Sequence, residues 1–293
     1  MKSALIKLHI AVFLWGFTGV FGKLISLNEG LLVWYRMLIT IASLFILLIV
    51  LRRLAILPIR SAIKLMSIGT LLAFHWVCFY GSIKYSNVSI ALTCLSTSGL
   101  FTAFLEPLYN RNRPKLAEVI LGLMGIVGIW LIYHFNHVYK TGMIIGLVAA
   151  LLSVIFSIFN KKTVSNIASG TVMFYELLGG WLVLTCVMPL YLMYFPSAHL
   201  YPSMTEIGWL LILSWICTII AFGLSLQSLR HTSVFTQNLV QNLEPVYGIL
   251  VAFALYHENK NLSSGFYWGF GIIISTVIIQ MIRLTKISRP LLG

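Results

Sequence analysis

Apolar residues run through this chain in blocks of about twenty, parted by short polar connections. The blocks cover roughly 5–26, 30–51, 62–83, 86–109, 116–134, 140–160, 168–194, 205–229, 231–256 and 262–283. At about 1.5 Å rise per residue, a helix of that length spans the hydrocarbon of a bilayer. The pattern predicts an all-α polytopic membrane protein with ten transmembrane helices, the lipid bilayer being its first partner.

One block carries polar groups where lipid offers no partner. Between His231 and Tyr256 stand Thr236, Gln237, Asn238, Gln241, Asn242 and Glu244, followed at once by Pro245. Gln237, Gln241 and Glu244 follow i, i+4 and i+7 and share a helix face, with Asn238 and Asn242 on the adjoining stripe. Each such group costs several kcal/mol in lipid, so the face must look at protein or water. Pro245 lacks an N–H and its ring presses on the Gln241 carbonyl, which predicts a kink beside the carboxyl. Two readings stay open: a binding site, or a polar seam joining helices. Helix 4 repeats the theme in hydroxyls, with Ser89, Thr93, Ser96 and Thr97 on one face. A hydroxyl can bond a carbonyl one turn back, so this stripe is cheaper to bury than amides. As a binding site, the face of Gln237, Gln241 and Glu244 is expected to share one aqueous cavity with Ser89, Thr93 and Thr97.

Charge inside a span is a functional hypothesis by default. Glu244 lies about thirteen residues in from Arg230, roughly 20 Å deep, where a carboxyl either carries a proton or stays a neutral hydrogen-bonded acid. Arg36 and Glu176 are opposite in sign but on the order of 9 Å apart along the membrane normal. A direct pair needs tilt; Arg36 can instead bind an anionic substrate group or extend to the interface. His75 is either a packing residue or a proton relay. Trp15, Tyr35, Trp76 and Tyr175 are the aromatic candidates for walling a pocket.

The chain also repeats itself. Shifted by 147, Ser86 falls on Ser233, Ser89 on Thr236, Leu92 on Leu239, Asn112 on Asn259, Gly122 on Gly269, Ile126 on Ile273 and Ile132 on Ile279. Shifted by 140, Trp34-Tyr35-Arg36 falls on Phe174-Tyr175-Glu176. Five helices per half, an odd number, insert the second half upside down. The chain thus reads as two inverted five-helix repeats, 1–137 and 138–293, an architecture of many secondary transporters.

Composition and charge narrow the function. Charged residues make up 9% of the chain, against about 25% in a soluble domain. The net charge of +13 does not point to nucleic acid, because the basic residues lie singly or in pairs and form no basic face. With the N-terminus inside, fifteen Lys and Arg fall at inner ends and four at outer ends. The positive-inside rule then places both termini in the cytoplasm and the protein in the plasma (inner) membrane. The first block has a basic start but no small-x-small cleavage site, and is read as a retained helix. Cys78, Cys94, Cys186 and Cys217 lie inside apolar blocks without C-x-x-C spacing, so no disulfide framework, metal or cofactor is indicated. There is no Asp, G-x-S-x-G or H-E-x-x-H, which leaves an intramembrane enzyme without its machinery. Glycines at 122, 125, 128, 265 and 269 let backbones approach, either within the bundle or between copies, giving a monomer or a homodimer.

Phe13-Leu14-Trp15-Gly16 resembles the Trp-Gly signature that opens drug/metabolite transporters of the EamA type, and Tyr35-Arg36 the family's aromatic–Arg position. Leu243-Glu244-Pro245-Val246, running on to His257-Glu258-Asn259-Lys260 and Gly269, is similar to the family's P-x(n)-G-E-(R/K)…G pattern. The resemblance covers nearly the whole chain. It implies helices 1–4 and 6–9 around a central cavity with helices 5 and 10 outside. It also implies a secondary-active transporter exporting a small-molecule substrate, expected here to be an amino acid or similar solute, and the depth of Glu244 adds H+ as a candidate coupling ion. A channel- or flippase-like protein is the alternative. Ser98 stands where the family's helix 4 has proline, which removes the expectation of a symmetric kink in helices 4 and 9; His257 stands where a glycine precedes the glutamate.

Overall fold

The computed structural model describes residues 2–111, 116–135, 137–164, 167–232, 234–241 and 243–288. Among them ten helical spans follow in order: α1 (Ser3–Lys23), α2 (Glu29–Val50), α3 (Ile59–Tyr85), α4 (Val88–Tyr109), α5 (Leu116–Phe135), α6 (Lys140–Val164), α7 (Ser169–Tyr194), α8 (Met204–Leu229), α9 as two pieces (Val234–Gln241 and Glu244–Tyr256) and α10 (Ser264–Ser288). No strand occurs among the described residues. Seven of the spans are long and apolar enough to cross a membrane. Large apolar side chains such as Ile46, Val50, Leu123, Trp130, Leu190 and Ile278 face outward, a surface that suits lipid and not water. The chain is an all-helical, multi-pass membrane protein.

Local chemistry sets the helix starts. Asn28 and Asn87 accept the Leu31 and Ile90 backbone N–H groups and begin α2 and α4, and Ser203 with Glu206 forms a capping box on α8. The packing then shows the repeat. α3 lies on α6 and α7 while α8 lies on α1 and α2; α4 lies on α6 while α9 lies on α1; α2–α7, α4–α9 and α5–α10 pair with each other. Advancing every helix number by five turns this set of contacts into itself, as an inverted two-fold requires. The fold is two inverted five-helix repeats, with the α5–α10 pair at the periphery.

Glycines correct the repeat register for that pair. A Cβ on Gly128 would collide with the Gly269 carbonyl and Ile273, and one on Gly269 with the Gly128 carbonyl and Ile132. The reciprocity matches Gly128 to Gly269 and Ile132 to Ile273, a shift of 141. The 147 shift, with Gly122 on Gly269 and Ile126 on Ile273, does not hold there. Apolar blocks built from few residue types align at several offsets, and only the contact selects one. Gly128 and Gly269 are therefore spent inside the molecule.

Four spans depart from regular α geometry where they meet the centre, α1 with a one-residue interruption at Phe17. α4 breaks at Ser96–Thr97 and α9 between Gln241 and Glu244. The symmetric interruption occurs without the proline of helix 4. Ser96 Oγ donates to the Thr93 carbonyl and Thr97 Oγ1 to the Cys94 carbonyl, each at 2.6 Å, so hydroxyls take up acceptors that the broken ladder leaves. α8 widens into a π segment at Trp215–Ile220, a feature that often accompanies functional sites.

Candidate functional site

A cavity lies among α1, α2, α3, α4, α6, α8 and α9. Trp15, Arg36, His75, Trp76, Gln237, Gln241 and Glu244, all singled out by sequence, line it. So do Thr18, Phe79, Phe156, Phe222, Ser225 and the trio Ser153, Ser157 and Asn160, which sequence reasoning missed. The trio repeats the i, i+4, i+7 spacing of Gln237, Gln241 and Glu244, and that was the signal available. The wall residues of α6 and α8 sit in the last turns of those helices, and Gln237 and Gln241 in the first piece of α9. The cavity thus runs from mid-depth toward the face that carries Arg52, Arg53, Lys161, Lys162 and Arg230, the basic face.

Arg36 is 1% exposed, yet its described hydrogen bonds all go to neutral hydroxyls. Nε and Nη2 donate to Thr218 Oγ1 at 3.0 and 2.8 Å, Nη1 donates to Tyr80 Oη at 2.7 Å, and the guanidinium lies 4.0 Å over the Trp76 ring. Thr218 belongs to the π segment and gives its own proton to the Leu213 carbonyl at 2.8 Å, five residues back. That leaves its lone pairs for Arg36. The π segment also offers the Cys217 carbonyl, which accepts Trp15 Nε1–H at 3.0 Å and fixes the indole on the wall. A buried cation without a bound counter-charge is expensive. The field of Arg36 reaches Glu244 and His75.

Glu244 is buried and opens the second piece of α9. Pro245 follows it in the first helical turn, where a missing N–H leaves no carbonyl unpaired. The proline therefore starts a helix where sequence suggested it bends one; it is buried and does not line the cavity. Gln241 is within hydrogen-bonding reach of the Glu244 carboxyl. Gln237 Nε2 donates to Ser225 Oγ, while Gln237 Oε1 and Asn160 Oδ1 have no partner among the described residues. His75 Nδ1 meets the Ala149 carbonyl at 2.8 Å; a carbonyl only accepts, so Nδ1 carries the proton.

Other expected residues stand elsewhere. Tyr35 Oη donates to the Leu200 carbonyl at 3.1 Å, away from the cavity, and Tyr175 Oη accepts the Leu57 N–H at 3.3 Å beside the α2–α3 connection. Glu176 is fully buried and accepts from Asn160 Nδ2 at 3.4 Å; it does not pair with Arg36. The shared cavity expected of α4 and α9 is not formed. Thr93, Ser96 and Thr97 turn their hydroxyls to carbonyls of their own helix, Ser89 turns to Glu258, and the α4 wall residue is Leu95. A hydroxyl bonds a carbonyl one turn back at little cost, and Thr93, Ser96 and Thr97 do so. Asn242 and the Asn238 side chain lie outside the described residues.

Two stretches of the chain, 2–134 and 140–282, match the model of the EamA-like transporter family. The chain belongs to that family. Its EamA-like fold recurs in solved structures. One crystal structure, 14% identical, aligns over 98% of this chain and 99% of its own with a TM-score of 0.67, a likeness of fold alone. No protein with a curated description matches. As a member of the EamA-like family the chain is a membrane transporter, with a small molecule as its substrate.

In this EamA-like chain the face opposite the basic one is tied shut by three of the seven glutamates. Glu258 accepts from Lys23 Nζ at 2.7 Å, from the Val88 and Ser89 N–H groups at 3.1 and 2.9 Å, and from Ser89 Oγ at 2.7 Å. It thereby joins α1, the start of α4 and the α9–α10 connection. Before it, His257 takes φ 52°, ψ 32°, the left-handed conformation that explains the family's preference for glycine at this place. Glu206 accepts from the Ser26 N–H and Oγ, each at 2.7 Å, and Glu29 from Tyr191 Oη at 2.5 Å. Lys84 binds the Ile25 and Leu27 carbonyls.

Proposed function

We propose that this EamA-like protein is a secondary-active exporter of a small zwitterionic or similarly amphipathic metabolite, working by alternating access with its basic face and both termini in the cytoplasm of a plasma (inner) membrane. The observation that carries this is Arg36, a buried cation on the cavity wall whose described partners are all neutral. A carboxylate on the substrate supplies the missing counter-charge. An ammonium group on the same molecule suits the Glu244 carboxylate, while Trp15, Trp76, Phe79, Phe156 and Phe222 cover the apolar body. Gln237 and Gln241 offer hydrogen bonds beside it.

Coupling follows from the same pair. Glu244 cannot hold a proton and an ammonium group at once. Protonation from the far side releases the substrate, and the proton returns when Glu244 next faces the cytoplasm. That competition makes proton–substrate antiport. The cavity's position on the basic-face side, with the opposite face closed, supports loading from the cytoplasm.

The test is counterflow and uptake of labelled amino acids and related zwitterions in proteoliposomes, with a pH gradient present or collapsed. Transport that responds to the gradient in wild type and is lost in Arg36→Gln is the expected result. Transport unaffected by both manipulations overturns the reading.

A further inference from the structure

A second carboxyl lies behind the cavity wall and takes no part in the scheme above. Glu176 sits seven residues inside α7, roughly 10 Å from the end of the helix, with no exposed surface. Gly69 of α3 presses on it from behind: a Cβ at Gly69 would collide with the Glu176 backbone. Its one described side-chain partner is Asn160, which lines the cavity.

The polar atoms of this pair do not balance if Glu176 is ionised. Asn160 Nδ2 donates to Glu176 Oε2 at 3.4 Å, and two atoms are left over, Glu176 Oε1 and Asn160 Oδ1, both buried and without a partner among the described residues. Both are acceptors. Buried polar atoms without partners call for an explanation, and a carboxylate so placed is costly without a counter-charge. None is supplied by the neighbouring helices. On α2, Arg36 is bound to Thr218 and Tyr80; on α3, Lys64 is exposed and His75 is bound to the Ala149 carbonyl. On α6, Lys161 reaches the Leu229 and Thr232 carbonyls, and Lys162 lies over the Tyr109 ring. Next to α8, Arg230 binds the Ile167 carbonyl, and on α7 itself Tyr175 is held at Leu57.

One proton settles the account. A protonated carboxyl has an O–H donor and a carbonyl acceptor, and a primary amide has the complement. Placed on Oε1, the proton is donated to Asn160 Oδ1 while Nδ2–H donates to Oε2, and a cyclic acid–amide pair with two hydrogen bonds results. We propose that Glu176 and Asn160 form a proton-binding site, separate from Glu244, in which Glu176 is the neutral acid in this state and exchanges its proton with the cavity past Asn160. On release the O–H bond of Glu176 breaks and a water in the cavity takes the proton as hydronium. The carboxylate remains, held by the amide N–H. The site stands whether or not the transported solute is a zwitterion, because nothing in it touches Arg36 or Glu244.

The experiment is infrared difference spectroscopy of the purified full-length protein in lipid nanodiscs at neutral pH, in H2O and D2O, on a Glu244→Gln background. A carboxylic-acid C=O band that moves on deuteration, and is lost on adding Glu176→Gln, is the expected result. Gln keeps a two-bond amide–amide pair, so elution profile and melting temperature should stay as in the background. Should that variant aggregate, Asn160→Ala decides: the acid loses its partner, and its C=O band should rise in frequency as hydrogen bonding is lost. A band that survives Glu176→Gln, no protonated-carboxyl band in the background protein, or a band unmoved by Asn160→Ala overturns the site.

Discussion

α4 and α9 are partners in the repeat, broken at equivalent places, yet their polar groups meet opposite fates. In α4 the hydroxyls of Thr93, Ser96 and Thr97 bond carbonyls of their own helix, and the stripe is closed to ligand. In α9 the amides of Gln237 and Gln241 and the Glu244 carboxyl face the cavity, with Gln237 Oε1 unpaired among the described residues. The two-fold therefore governs backbone shape and not chemistry. Each half supplies an interrupted helix, but only one turns amides and a carboxyl to the cavity. A symmetric scaffold thus holds a one-sided site.

Several measurements bear on that contrast. Glu244→Gln, a mimic of the protonated acid, should fold, bind solute more weakly and lose all response of transport to the pH gradient, as read in proteoliposomes; an unchanged pH response places the proton route elsewhere. Next in size is the bond set that holds the start of α4. Glu258→Ala removes the acceptor of two backbone N–H groups, a hydroxyl and an ammonium, and should cost about 2–3 kcal/mol, read as a lowered melting temperature. Labelling separates the two helices more gently. With the four native cysteines replaced, Gln241→Cys should react with a membrane-impermeant thiol reagent about tenfold faster than Thr93→Cys, a gap of roughly 1.4 kcal/mol in accessibility, and substrate should protect it. Equal rates would mean that α4 also faces water. The smallest effect is Thr93→Val, which deletes one intrahelical hydroxyl bond. It should change stability by less than about 1 kcal/mol and leave transport as it is.

Much of this was legible in the chain. Charged and amide side chains inside apolar blocks have few places to go, and Arg36, His75, Gln237, Gln241 and Glu244 all reached the cavity. Hydroxyls are ambiguous, because a serine on a stripe bonds its own helix or a ligand equally well. That ambiguity misplaced Ser89, Thr93 and Thr97. The same ambiguity hid Ser153 and Ser157, although Asn160 at the next step of the spacing is an amide and belonged with the first group. Tyr35 and Tyr175 failed for a different reason. Matching places in the two repeats lie at opposite faces, so equivalence in sequence carries each residue away from its partner. The helix breaks follow the repeat to within a residue, whereas the α5–α10 register needed the Gly128–Gly269 contact to fix it.

The π segment of α8 acts as a phase setting. A turn closed from i to i+5 holds one residue more than an α turn, and one residue corresponds to about 100° of rotation for everything that follows. Phe222, Ser225, Leu226 and Leu229, spaced i, i+3, i+4 and i+7, form a stripe that points into the cavity only at that setting. A chain shorter by one residue within Trp215–Ile220 would keep its hydropathy, its length to within one rise and its family signature. It would keep that stripe in phase, because a regular α-helix one residue shorter closes the same rotation. It would nevertheless lose the wide turn in which Thr218 serves Arg36 and the Cys217 carbonyl serves Trp15. In this helix, function is stored in an angle, and winding the same residues as a regular α-helix would erase it without changing the composition.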